Sequence, residues 1–279
     1  MRPRPFKQVD VFTAVPYRGN PLAVVLDGGG LSDEEMQRFT DWTNLSEATF
    51  LLPPTQPGAD YRVRIFCPGR ELPFAGHPTL GSCHAWLEAG GRPREELIIQ
   101  ECSAGLVKLR RDGSRLAFAA PPLRKSGPVA EAEVARVARG LGVARSEIVA
   151  HAWCDNGPNW CAVMLESAAR VLALKPDGEV LAGMDVGVVG ARGKGDECAF
   201  EVRAFFPGNN GITEDPVTGS LNAALAQWMI GAGLAPQSYV VSQGTALGRA
   251  GRVHVQQGAT GEIWIGGASV TCVEGQVRL

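Results

Sequence analysis

The fold is decided by the stretch Val63-Arg64-Ile65-Phe66-Cys67-Pro68-Gly69-Arg70-Glu71-Leu72-Pro73-Phe74-Ala75-Gly76-His77-Pro78-Thr79-Leu80-Gly81-Ser82-Cys83-His84-Ala85-Trp86. An extended, β-branched start meets a Pro/Gly turn. A second turn, Ala75 to Pro78, then opens a run with helical spacing. Pro78 suits the first helical position, where its missing N–H costs nothing. No Asp, Glu, Lys or Arg lies between Leu72 and Leu87. A helix that is apolar on every side is covered on every side. Its first N–H groups still need partners, so a buried start at Gly76-His77 makes an inward positive end suited to an anion.

The stretch occurs twice. Val63-Arg64-x-Phe66-x-Pro68-Gly69 matches Val202-Arg203-x-Phe205-x-Pro207-Gly208, 139 positions on. At the same offset Thr79 falls on Thr218, and Asn20-x-x-Ala23-Val24-x-Leu26 falls on Asn159-x-x-Ala162-Val163-x-Leu165. The second copy runs from Thr218 to Gly248 without a charged residue. Three matches at one spacing near half the chain length imply two similar halves. Their expected bounds are 1–123 and 124–279, with a strand from 270–279 available to complete the first.

The 279 residues allow one large or two ordinary domains. A hydrophobic share of 45% with 20% charged residues is that of a globular protein. A net charge of −2 argues against a nucleic-acid partner, which needs a basic stripe. No signal peptide or membrane span is read, so the expected compartment is the cytoplasm. Seven cysteines at irregular gaps suit a reducing compartment, and the four scattered histidines make a structural zinc unlikely to form.

Strands are expected at Gln8–Thr13, Leu22–Leu26, Asp60–Phe66, and in three short pieces between Leu97 and Phe118. Ser32 and Glu35 form a capping box opening a helix to Asn44, with Met36, Phe39 and Trp42 inward. Ala120 to Pro128 reads as a linker, and Ala130 to Gly140 as a helix. Strands follow at Glu147–Ala150, Trp160–Leu165, Asp185–Gly190 and Cys198–Phe206. Ala168–Leu174 and Glu179–Met184 read as short helices. The second buried helix is expected over Val217–Gly231, and closing strands lie between Tyr239 and Val273. Each half is thus α+β: antiparallel-looking strands in a barrel-like sheet around one buried central helix.

Three polar clusters stand out: Ser46-Glu47, Gly76-His77 and Glu214-Asp215-Pro216-Val217-Thr218-Gly219-Ser220. Glu47 heads an apolar, β-prone run. It is either a carboxylate on a strand's wet edge or a buried one whose pKa rises into the range of a proton shuttle. His77 is either a core histidine bonded to a carbonyl or a neutral ring at a helix start, ready to donate to an anion or move a proton. Asp215 before Pro216 reads most simply as a helix cap, and Ser220 as a first-turn hydroxyl. His84 and Cys83 read as packed structural residues.

Asn44-Leu45-Ser46-Glu47, the run Glu71 to Gly81, Asn156-Gly157-Pro158 and Glu214 to Ser220 resemble the PhzF family. So does the opening Gly19 to Val24. These are phenazine-biosynthesis-like isomerases with the diaminopimelate epimerase fold. The resemblance implies two pseudo-symmetric halves with the active site in the cleft between them. It implies Glu47 as the acid/base, with His77 and Asp215 as catalytic partners. Ser46, Gly76, Pro78, Gly219 and Ser220 are implied as substrate-binding residues. No cysteine falls where related epimerases of this fold place theirs, and Cys67 stands where the family commonly has Thr. The expected activity is a carbon-to-carbon proton shift on a small carboxylate, without metal or cofactor, in a homodimer. The alternatives are a two-base racemase using Glu47 and Asp215, and a non-catalytic binder of small anions.

Overall fold

The computed structural model describes residues 1–208 and 211–279. Contacts divide the chain into two compact units: Met1–Ala119 with Gly266–Leu279, and Ala120–Ile265.

The first unit contains β1 (Pro3–Val11), β2 (Asn20–Val25), α1 (Asp33–Thr43), β3 (Ala48–Leu52), β4 (Tyr61–Cys67) and β5 (Arg70–Leu72). It continues with α2 (Gly76–Glu88), β6 (Ile98–Cys102), β7 (Gly105–Asp112) and β8 (Arg115–Ala119). The last strand of the chain, Ser269–Arg278, pairs antiparallel with β1. Arg2 and Leu279 exchange backbone hydrogen bonds at its end. The capping box of α1 is formed by Ser32 and Glu35, and Asn44 closes the helix at φ 56°. Met36, Phe39 and Thr40 are its buried stripe. Trp42 falls off that stripe and is exposed, contrary to the inward placement its spacing suggested.

The second unit contains β9 (Lys125–Gly127), α3 (Glu131–Leu141), β10 (Ile148–Asp155), β11 (Asn159–Leu165), α4 (Ala168–Leu172) and β12 (Asp185–Ala191). After these come β13 (Phe200–Gly208), β14 (Gly211–Asp215), α5 (Gly219–Gly231), β15 (Ser238–Gln243) and β16 (Gly251–Gln257). Residues 178–183 form turns where a helix was expected over 179–184. Six residues ending at Gly183 (φ 77°) are too few to offset helix nucleation.

The sheets are mixed, not simply antiparallel. In the first unit β2 pairs parallel with β3, β3 antiparallel with β4, and β4 both antiparallel with β5 and parallel with β6. In the second unit β11 pairs parallel with β12, and β12 antiparallel with β13. β13 in turn pairs antiparallel with β14 and parallel with β15. The two pairing patterns are the same. Among the described residues the strands of neither unit close into a full barrel, and the α+β reading with one buried central helix in each half holds.

The repeat extends to side chains. Arg64 grips Glu71 with two hydrogen bonds, at 2.8 and 2.6 Å, and lies over Phe66. Arg203 grips Glu214 at 2.9 and 2.7 Å and lies over Phe205. The hairpin changes the spacing, however. Ile65 pairs with Leu72, whereas Ala204 pairs with Asp215. Beyond the longer second hairpin, Gly76 answers to Gly219 and His77 to Ser220. Thr79 therefore answers to Asn222, not to Thr218 as the constant offset suggested.

Both central helices lack a wet face over their first two turns. Gly76 to Cys83 and Gly219 to Ala226 are all buried. Gly81 lets α2 approach β1 and β2 closely: a Cβ there would stand 2.6 Å from Leu22 Cδ2 and 2.9 Å from Val11 Cγ2. A glutamine from the following parallel strand then reaches each helix at its fourth residue. Gln100 donates to Thr79 Oγ1 at 3.0 Å, and Gln243 accepts from Asn222 Nδ2 at 2.8 Å. Among the described residues, no helix is long and apolar enough to cross a membrane.

The two Arg–Glu pairs differ in burial, and their removal should differ accordingly. The Arg203 and Glu214 side chains are 7% and 12% exposed, against 16% and 30% for Arg64 and Glu71. Glu214→Ala leaves a buried guanidinium without its carboxylate and should cost about 3 kcal/mol or more. Glu71→Ala, where Arg64 keeps Asp33 at 2.7 Å, should cost about 1 kcal/mol. Urea unfolding of the two variants checks the order.

Candidate active site

Glu47 occupies the short link between α1 and β3. The left-handed turn at Asn44 reverses the chain, Leu45 packs on the core, and Ser46 and Glu47 lead into β3. Both Ser46 and Glu47 are half-buried. The Glu47 side chain is only 15% exposed, so the wet-edge reading does not hold. The run after it builds this placement. Ala48, Thr49 and Phe50 are fully buried and pull their neighbour in.

His77 is the second residue of α2 and is 3% exposed. Its Nε2 lies 3.4 Å from Glu47 Oε2, and its Nδ1 lies 3.3 Å from the amide nitrogen of Asn20. The helix begins at Gly76, after Ala75 in extended conformation. Pro78 is therefore the third helical residue, not the first, though its N–H would still have been among the unpaired ones. Burial pushes the His77 ring down to about 3. The loss of hydration is the cause. The ring is neutral.

Cys67 ends β4, one step beyond the Ala48–Phe66 pair in the β3–β4 register, and so stands across from Glu47. Burial and then the Glu47 charge raise its thiol pKa, so it is a poor nucleophile. Cys83 and Cys161, pushed up to about 12 by burial, are poorer still. His84 lies 3.1 Å from both Thr271 Oγ1 and Glu88 Oε1, tying α2 to the last strand.

The second unit holds Asp215, Gly219 and Ser220 together at the start of α5. Asp215 is the last residue of β14 and 8% exposed. It is not the helix cap: that position belongs to Thr218, whose hydroxyl donates to Asp215 at 2.5 Å. The Pro216 ring is thus outside the helix. Gln243 accepts from the Thr218 N–H at 3.1 Å and donates to its hydroxyl at 2.9 Å. Every polar atom of that turn has a defined direction. Ser220 Oγ accepts from Trp160 Nε1 at 3.3 Å, and its carbonyl accepts from Asn156 at 2.8 Å. The serine proton is uncommitted by either contact.

Asn20, Trp160, Asn156 and Gln243 escaped assignment from the sequence. Asn20 and Asn156 lay inside the motifs, as polar residues against apolar strands, which is the signal that marks them. Trp160 and Gln243 had no such signal. Among the described residues, no group of three or more His, Cys, Asp or Glu side chains is arranged to hold a metal ion.

This arrangement has relatives. The model of the phenazine biosynthesis-like proteins (PhzC-PhzF) matches residues 9–275. The chain is 39% identical to "Antisense-enhancing sequence 1" of Schizosaccharomyces pombe, over 97% of each chain. It is 34% identical to the trans-2,3-dihydro-3-hydroxyanthranilate isomerase of Pseudomonas aeruginosa, over 97% of this chain and 98% of that one. A phenazine biosynthesis protein of the PhzF family from Bacillus anthracis superposes with a TM-score of 0.85 at 23% identity, covering 100% of both chains. A hydroxyproline epimerase from Agrobacterium vitis gives 0.61 at 16% identity, covering 100% and 93%. The chain therefore belongs to the phenazine biosynthesis-like family, has the fold shared with these epimerases, and is of the isomerase class.

The His77 environment sets a pH dependence. The native ring takes a proton only near pH 3, while the unfolded chain takes one near 6.5. Stability from this group is complete above about 6.5 and is lost as pH falls toward 3. Relative to His77→Gln, the wild type should lose melting temperature progressively between pH 6.5 and 4. Parallel curves would contradict the buried neutral ring.

Proposed function

We propose that this protein is a cofactor-independent isomerase that moves a proton between two carbons of a small, cyclic amino carboxylate. The observation carrying the reading is Glu47: a carboxylate with little exposure, 3.4 Å from a neutral imidazole at the start of a buried helix. A carboxylate held out of bulk water at a helix start is placed as a general acid/base is, to take a proton from one carbon and return it to another. His77 stands beside it, with Nε2 within reach of Oε2 at 3.4 Å. The N–H groups opening α2, at Gly76 and His77, face the charge of a substrate carboxylate, which helix N-termini favour. Ser46 and Pro78 shape the same end. The dihydro-hydroxyanthranilate named for the Pseudomonas aeruginosa relative has the required chemistry: an acidic C–H, a conjugated ring and a carboxylate.

For the second unit, the family motif assigns Asp215, Gly219 and Ser220 to the same reaction. The Thr218 hydroxyl donates to Asp215 and fixes that carboxylate's direction, which fits it to orient substrate. That contact also weighs against the two-base racemase, which needs Asp215 as a free second base. A pure anion binder would gain nothing from a carboxylate buried beside its ligand.

The test is Glu47→Gln, assayed in deuterated water with trans-2,3-dihydro-3-hydroxyanthranilate. Wild type should shift the ring absorbance and incorporate solvent deuterium at carbon. The variant should fold normally and lose a factor of about 100 or more in turnover. Retained turnover within a few-fold would reject Glu47 as the base.

A further inference from the structure

Asn20 is fully buried at the first position of β2, paired with Val11 of β1. The chain before it has no freedom. A Cβ on Gly19 would stand 2.1 Å from the Val11 carbonyl oxygen, so only glycine fits. The Gly19 N–H is held by Asp10 Oδ2 at 2.9 Å, and Asp10 is itself 2% exposed. Pro21 follows and fixes the next φ. The Asn20 side chain is therefore aimed by a rigid backbone, and its amide nitrogen meets His77 Nδ1 at 3.3 Å.

An amide nitrogen has only hydrogens to offer. A neutral imidazole has one lone pair and one N–H. If Nδ1 accepts from Asn20, the hydrogen sits on Nε2, which faces Glu47 Oε2 at 3.4 Å. In the opposite tautomer an N–H would face an N–H at Nδ1, and a lone pair would face a carboxylate oxygen at Nε2. Both contacts would be repulsive.

We infer that Asn20 is a positioning residue that holds His77 as the neutral Nε2–H tautomer, making the ring a fixed donor to Glu47 and not a second base. The role given to Glu47 rests on the proposed function; the tautomer does not. At 3.4 Å the contact is longer than an ordinary N–H···O bond, as is common before a site closes on its substrate. The ring then faces one carboxylate oxygen of Glu47, Oε2. For His77 to accept a proton at Nε2, that nitrogen would first have to give up the hydrogen that Asn20 holds there.

The experiment is long-range ¹H–¹⁵N correlation on the full-length protein with ring-labelled histidine. The His77 signals are identified by their loss in His77→Gln. Wild type should show the Nε2–H pattern between pH 5 and 8, without any substrate. Asn20→Asp replaces the donor by an acceptor and should move the proton to Nδ1 or charge the ring. Asn20→Ser, whose hydroxyl can still donate, should keep part of the Nε2–H population. An Nδ1–H or charged ring in the wild type, or an unchanged pattern in Asn20→Asp, would overturn the inference. The wild-type spectrum decides even if Asn20→Asp does not fold. An active Glu47→Gln with the Nε2–H pattern intact would sink the proposed function and leave the tautomer standing.

Discussion

A helix buried from its first residue has no water to bond its leading N–H groups, and the rest of this structure answers to that constraint. α2 and α5 are both in this position. The protein does not fill the need with ordinary caps. Ala75 has no capping side chain, and Thr218 directs its hydroxyl to Asp215 instead of to its own helix. Each helix therefore opens on a glycine, Gly76 or Gly219, with the positive end of its dipole inside the protein. Hydrophobic burial holds the helices in place.

The two units share a framework and differ in chemistry. The Arg–Glu grip over a phenylalanine, the parallel crossovers and the glutamine reaching the fourth helical residue recur in both. The differences sit where substrate chemistry would be carried: Leu72 against Asp215, and His77 against Ser220. An apolar residue and a titratable ring stand in one half, an acid and a hydroxyl in the other. The recurring positions are those that satisfy charged and amide groups within each sheet. Positions at the helix starts carry no such demand and were able to diverge.

Much of this was legible in the residues. The absence of charge from Leu72 to Leu87 disclosed a dry helix, and the Val-Arg-x-Phe-x-Pro-Gly repeat disclosed two halves. Glu47 and His77 were visible as polar groups in apolar surroundings. Their mutual contact was not, because it joins a loop after α1 to the start of α2, and a linear pattern has no term for that distance. By itself Asp215 read as a cap because Asp-Pro is a good local signal for one; it ends its strand three residues ahead of the cap, where it accepts from the Thr218 hydroxyl. The repeat register was misjudged because a change of hairpin length is invisible until the strands are paired. The parallel pairings escaped too: alternation reveals a strand but not the direction of its neighbour.

The last strand, Ser269–Arg278, lies against β1, and Leu279 is bonded to Arg2. β1 pairs early with β2, but its second neighbour is made only after the whole of residues 120–265. The unit that begins first is completed last. The inserted unit can finish its own sheet while the earlier one still exposes an unpaired edge along β1. A chain cut after residue 265 holds all of the second unit and a first unit that lacks its last strand.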